Sequence, residues 1–269
     1  MQFDPDNTMK QLNKVFQCII AMMMVSSTVS CAQETKGWQL EKMPADLEME
    51  YALSALPPHL RTGATVYLLD PNKGYYIGKQ GNNGFATFIN RTEWERAEFV
   101  PDTYAAVSYD TEGVKTYLPV YFAVAEMRAT GKYTPTQIRK TILERVNNGT
   151  YKAPARMGLS YMLCPMLRTR LDDQGIVNNI LPHYMFYAPR VDNTDIGGQW
   201  DGHGPFAISS GDMLDKAHSI FNYIIVPAGE AEKAKIMESN KNLLEKLAAY
   251  KPYFKIESGL GGEGKEHQH

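Results

Sequence analysis

The stretch richest in reactive groups is Asp192-Asn193-Thr194-Asp195-Ile196-Gly197-Gly198-Gln199-Trp200-Asp201-Gly202-His203-Gly204. It combines carboxylates, an imidazole and an indole with glycines that let a loop move. Asp201 and His203 alternate with glycine, so both side chains can reach into one cavity, and Trp200 offers a flat apolar face for stacking. The pattern does not match the calcium loop D-x-[DN]-x-[DN]-G. Two ligands do not close a metal site either, and no tight His or Cys spacing supplies the rest, although His183 and His218 are further imidazoles. No metal and no cofactor is expected.

A second set lies on Pro182-His183-Tyr184-Met185-Phe186-Tyr187-Ala188-Pro189. Strand alternation puts His183, Met185 and Tyr187 on one face and Tyr184, Phe186 and Ala188 on the other. The expected site joins His183 and Tyr187 to Trp200, Asp201 and His203 as ligand-binding residues. An alternative use is hydrolysis, with His183 or His203 and Asp201 as acid and base. A third reading is a structural envelope protein with no pocket.

Three other features read as structural. Gly78-Lys79-Gln80-Gly81-Asn82-Asn83-Gly84 lacks the following helix that a phosphate cradle needs, and suits a hairpin turn. Gly158-Leu159-Ser160-Tyr161-Met162 lacks the last glycine of a nucleophile elbow. Cys164 ends an apolar run, which predicts a small buried hydrophobe rather than a reactive thiol.

Elements that position these groups follow from periodicity. Pro44 to Leu56 predicts a helix stopped by Pro57-Pro58. Strands are expected at 64–69, 75–78, 85–89 and 104–109, the last ending at 110–113. Helices are expected at 118–129 and from Pro135, where Thr134 and Gln137 form a capping box. Strands return at 158–163, 180–188 and 223–226, then a helix over 230–250 breaks near Ser239-Asn240. Hairpin-like runs of strands predict an α+β fold, a mostly antiparallel sheet with several packed helices, in a single compact domain over 44–257.

The chain of 269 residues has formal charge −2 and 43% hydrophobic residues, which gives no electrostatic footprint for nucleic acid. Its amino terminus predicts export. Met9 is a better start than Met1, because Lys10 and Lys14 then precede the apolar run Phe16 to Val25 and the small residues Ser26 to Ala32. That run is shorter than the ~20 residues of a membrane span. Cleavage before Gln33 competes with lipidation of Cys31, where Val29-Ser30-Cys31 resembles the end of a lipobox with Thr28 in its usual aliphatic position. The expected division is a signal peptide over 1–31, a polar spacer over 32–43, the domain, and a disordered tail over 258–269. A membrane partner is expected only through a lipid on Cys31, and Cys164 has no intrachain disulfide partner in the mature chain.

Several segments together resemble a group of uncharacterised, signal-peptide-bearing bacterial envelope proteins. They are Ala52-Leu53-Ser54-Ala55-Leu56-Pro57-Pro58, Gly63-Ala64-Thr65-Val66, Asn83-Gly84-Phe85, Gly158 to Leu163, Pro182-His183-Tyr184-Met185 and Tyr223-Ile224-Ile225-Val226-Pro227. Where that group tends to have Thr-Cys, this chain has Ala86-Thr87. The resemblance implies export and one domain and assigns no catalytic residue. Taken together, the sequence predicts an exported periplasmic or cell-envelope protein that binds a small molecule.

Overall fold

The computed structural model describes residues 40–92, 94, 97–171, 174–199, 204–208 and 220–256. The chain divides between Trp38 and Gln39, and all of the described fold belongs to the second unit. Its helices are α1 (Ala45–Ser54), α2 (Pro58–Arg61), α3 (Thr111–Thr116), α4 (Leu118–Ala129), α5 (Pro135–Asn147), α6 (Asn193–Ile196), α7 (Glu230–Ser239) and α8 (Lys241–Tyr250). The strands are β1 (Thr65–Asp70), β2 (Gly74–Lys79), β3 (Ala86–Asn90), β4 (Ala105–Tyr109), β5 (Leu159–Met162), β6 (Leu167–Leu171), β7 (Gly175–Asn179), β8 (His183–Tyr187), β9 (Phe206–Ile208) and β10 (Tyr223–Pro227). Eight of them form one sheet in the order β2-β1-β3-β4-β5-β8-β10-β9, and β6-β7 is a separate hairpin. Among the described strands only the β1–β3 pair is parallel, so the α+β class and the mostly antiparallel sheet hold.

Each sheet face has its own core. Phe88, Val107, Tyr109, Met185, Tyr187 and Tyr223 pack with Tyr117, Leu118, Val124, Ile138 and Ile142 of the α3–α5 region. The other face packs Val66, Leu68, Ile89 and Ala106 against Tyr51 and Ala52 of α1 and Leu243 and Leu247 of α8. Alternation along each strand makes this division possible, because successive side chains point to opposite faces. α5 begins as its residues require. Gln137 N–H donates to Thr134 Oγ1 at 3.2 Å, and Thr134 N–H donates to Gln137 Oε1 at 2.8 Å.

Three local expectations change. The stretch 81–84 makes no hairpin, because β3 runs parallel to β1. Asn82 and Asn83 N–H both donate to Gly63 O, Asn83 Nδ2 donates to Leu60 O, and Gly81 N–H donates to Thr65 Oγ1. The loop is thereby fastened across the start of β1. A Cβ at Gly81 would lie 2.2 Å from backbone atoms of Gly63 and Ala64, so the close approach requires glycine.

β4 ends at Tyr109 as expected, and Asp110 to Gly113 then opens a helix, because the Asp110 carboxylate caps α3. The strand expected at 180–188 starts at His183, and β6 and β7 precede it. Leu40 and Met43 are buried at 8% and 2% exposure, so packing begins inside the expected spacer.

Candidate functional site

His183 opens β8, between β5 and β10, where it pairs with Met162 and Pro227. It is buried, and its Nδ1 donates to Leu181 O at 2.6 Å. Burial pushes its pKa down to about 4, against the raising effect of the Leu181 carbonyl. The ring is therefore a neutral group held inside the fold.

Tyr187 lies on the same face four residues on, also buried. Its hydroxyl donates to Asp110 Oδ1 at 3.0 Å and lies 3.3 Å from Leu159 O. Burial pushes the phenol's pKa far up, and Asp110 adds to the shift.

Trp200, Asp201 and His203 lie outside the described residues, as does Cys31. The described part of their loop is locally ordered by its own polar groups. Asp192 caps α6 through the N–H groups of Thr194 and Asp195, and Asp195 returns a bond to Asp192 N–H. Asn193 grips the edge strand in both directions, accepting from Ala207 N–H at 2.7 Å and donating to Ala207 O at 3.0 Å. Ala207 stands across from Ile224, which stands across from Phe186. The loop is thus anchored level with the Phe186–Tyr187 end of β8, while His183 is at the opposite end of that strand.

Two further residues weighed as nucleophiles are built into the core. Ser160 is fully buried, and its hydroxyl donates to Ser108 O at 2.5 Å. Cys164 is fully buried with Sγ 3.7 Å from Ala106 O, and burial pushes its pKa up to about 12. Both environments disfavour the ionised nucleophile. Among the described residues, no three His, Cys, Asp or Glu side chains cluster as metal ligands would.

The other face of β8 is the accessible one. Ser108, Tyr161, Tyr184 and Val226 stand in one row across β4, β5, β8 and β10, and Leu159, Phe186 and Ile224 stand in the next. This is the face that α1 covers over β3 and β4, where Thr87 Oγ1 donates to Ala52 O. Beyond β4, six of these side chains are only half-buried: Leu159, Tyr161, Tyr184, Phe186, Ile224 and Val226.

Phe85 extends the row, its ring centroid 5.9 Å from that of Tyr161. The rings of Tyr161 and Tyr184 meet edge to face at 5.7 Å and 65°. Tyr184 donates to Glu232 Oε1 at 2.5 Å, and its pKa is raised to about 12 by desolvation first and the carboxylate second. The period-2 pattern identified both faces of β8. It carried no signal for which face a helix covers, since both hold aromatic residues.

No family model, curated protein or solved structure matches this chain.

Proposed function

We propose that this chain is an exported cell-envelope protein that binds a small ligand on the open half of its sheet. The observation that carries the binding reading is the contiguous half-buried face of Tyr161, Tyr184, Phe186, Leu159, Ile224 and Val226, opposite the fully buried face of β8. Its rings offer flat apolar surface, and the Tyr184 hydroxyl with the Glu232 carboxylate offers polar contacts at one end. A ligand with a flat apolar face and hydroxyl groups fits this chemistry. The hydrolase alternative gains no support from His183, which is buried and neutral. A purely structural protein has no need of the open face.

Export is supported by Lys10, Lys14, the apolar run to Val25 and the small residues before Cys31. The resemblance to signal-peptide-bearing envelope proteins points the same way. Among the described residues, no helix is long and apolar enough to cross a membrane. Fractionation is expected to recover a shortened chain outside the cytoplasm. A full-length cytosolic species removes the export half of the proposal.

Native mass spectrometry tests the binding half. The full chain, incubated with an extract of envelope small molecules, is expected to carry a bound mass. Tyr161→Ser combined with Phe186→Ser removes two ring contacts of about 1 kcal/mol each, roughly a thirtyfold loss of affinity. Tyr133→Ser, on an exposed residue elsewhere, retains the mass. Absence of any bound species, or its retention by the double variant, overturns the proposal.

A further inference from the structure

We propose that α7 is a hinged strap over one end of the open face, held shut by the hydrogen bond from Tyr184 to Glu232. This rests on the binding reading for its purpose, but its mechanical basis is independent of any ligand. None of the ten residues of α7 is buried. Its inward stripe, Glu232, Lys233, Ile236 and Met237, is half-exposed throughout. The elements on either side are fixed. β10 is paired on both edges, and α8 is seated by Leu243 and Leu247 and by Lys246 Nζ on Glu50 Oε2 at 2.7 Å. A helix with so few buried apolar contacts opens at low cost compared with its neighbours.

Both ends of α7 are non-helical joints. Gly229 precedes it with extended backbone, no side-chain cap and open space around its Cβ position. Asn240 follows it at φ −113° and ψ 16°, and α8 begins at the next residue. Movement at the exposed Gly229, with the buried Asn240 as pivot, carries Glu232 away from β8. The Tyr184–Glu232 bond, 2.5 Å long, crosses from the open face to the helix and opposes that movement. Swinging α7 out would free the Tyr184 hydroxyl at that end of the face. A ligand hydroxyl that takes the place of Glu232 on Tyr184 would then favour the open state.

Amide hydrogen exchange on the full chain, with no ligand added, tests the strap. The amides of α7 are expected to exchange faster than those of α8. Tyr184→Phe keeps the ring and deletes the latch, so exchange in α7 should rise about tenfold, as expected for losing a hydrogen bond to a charged group, while α8 is unchanged. Glu232→Ala cuts the same bond from the helix side and should give the same rise, which guards against a folding defect peculiar to Tyr184→Phe. Tyr161→Phe should leave α7 as it was. Exchange in α7 as slow as in α8, or no response to either latch variant, overturns the proposal. Because no ligand is present, that outcome is distinguishable from a failure of the binding reading, which the mass spectrometry decides.

Discussion

Asp110→Ala is expected to cost about 2–4 kcal/mol. Asp110 Oδ1 accepts from Glu112 N–H at 2.9 Å, from Gly113 N–H at 2.9 Å and from the Tyr187 hydroxyl at 3.0 Å. Its Oδ2 accepts from Leu159 N–H at 3.1 Å. One carboxylate thereby joins the start of α3 to β5 and β8. Removing it deletes a helix cap, about 1 kcal/mol, and leaves a strand N–H unpaired at about 1–3 kcal/mol, while the Tyr187 hydroxyl keeps Leu159 O at 3.3 Å as an acceptor.

Nearby glycines leave little room for a replacement partner around this node. A Cβ at Gly113 would lie 2.1 Å from the Tyr187 hydroxyl, and one at Gly158 would lie 2.4 Å from its ring. Asp110→Asn keeps the oxygen for α3 but turns an NH2 group toward Leu159 N–H, so it should fall between wild type and alanine. Urea denaturation measures these differences. Tyr187→Phe should cost about 1–2 kcal/mol alone and far less in the Asp110→Ala background, because the two share a bond. An alanine variant within 1 kcal/mol of wild type sinks this account.

The Asp110 node also shows where the sequence was legible and where it was not. Helices at 118–129 and 135–147 announced themselves through Pro, a capping box and the Ile138/Ile142/Val146 stripe, all local signals. The break at Ser239-Asn240 was equally local. Asp110 does follow the end of β4, and its cap on Glu112 and Gly113 N–H is local, but its links to Leu159 and Tyr187, 49 and 77 residues away, leave no mark in the nearby sequence. The loop at 81–84 misled for the same reason, since Gly and Asn suit a hairpin as well as they suit a crossing over Gly63.

For the candidate site, period-2 alternation separated the two faces of β8, but helix placement decided which one stayed open. Tyrosine content, 16 residues, gave no guidance because the type serves two purposes here. Tyr109, Tyr117, Tyr187 and Tyr223 fill one core, while Tyr161 and Tyr184 face outward on the other side.

Stability is expected to be nearly level between pH 4.5 and 6.5 with respect to two buried groups that titrate in opposition. Glu48 of α1 is 2% exposed and accepts from Leu69 N–H at 2.8 Å. Burial raises its pKa from 4.5 to about 7, and the Leu69 N–H, Arg91 and Lys42 counteract part of that rise. The folded state therefore favours the protonated acid. The associated stabilisation is fully present below pH 4.5 and is lost as pH rises through about 7. His183 behaves in the opposite sense, with a folded pKa of about 4 against 6.5. Its contribution is present above pH 6.5 and is lost as pH falls through about 4.

Each group contributes a slope of about 1.4 kcal/mol per pH unit within its window, and between 4.5 and 6.5 the slopes cancel. Removing one should expose the other. Glu48→Gln keeps an oxygen for Leu69 and cannot titrate, so the variant should lose roughly 2–3 kcal/mol between pH 6.5 and 4.5 relative to wild type. His183→Asn keeps a donor for Leu181 O, and should gain a similar amount over the same span. Urea melts of the three proteins at pH 4.5, 5.5 and 6.5 measure these slopes as differences from wild type, in which every other titrating group cancels. Opposite slopes are the expected result. Parallel pH profiles for all three would mean that neither burial shifts protonation as the geometry requires.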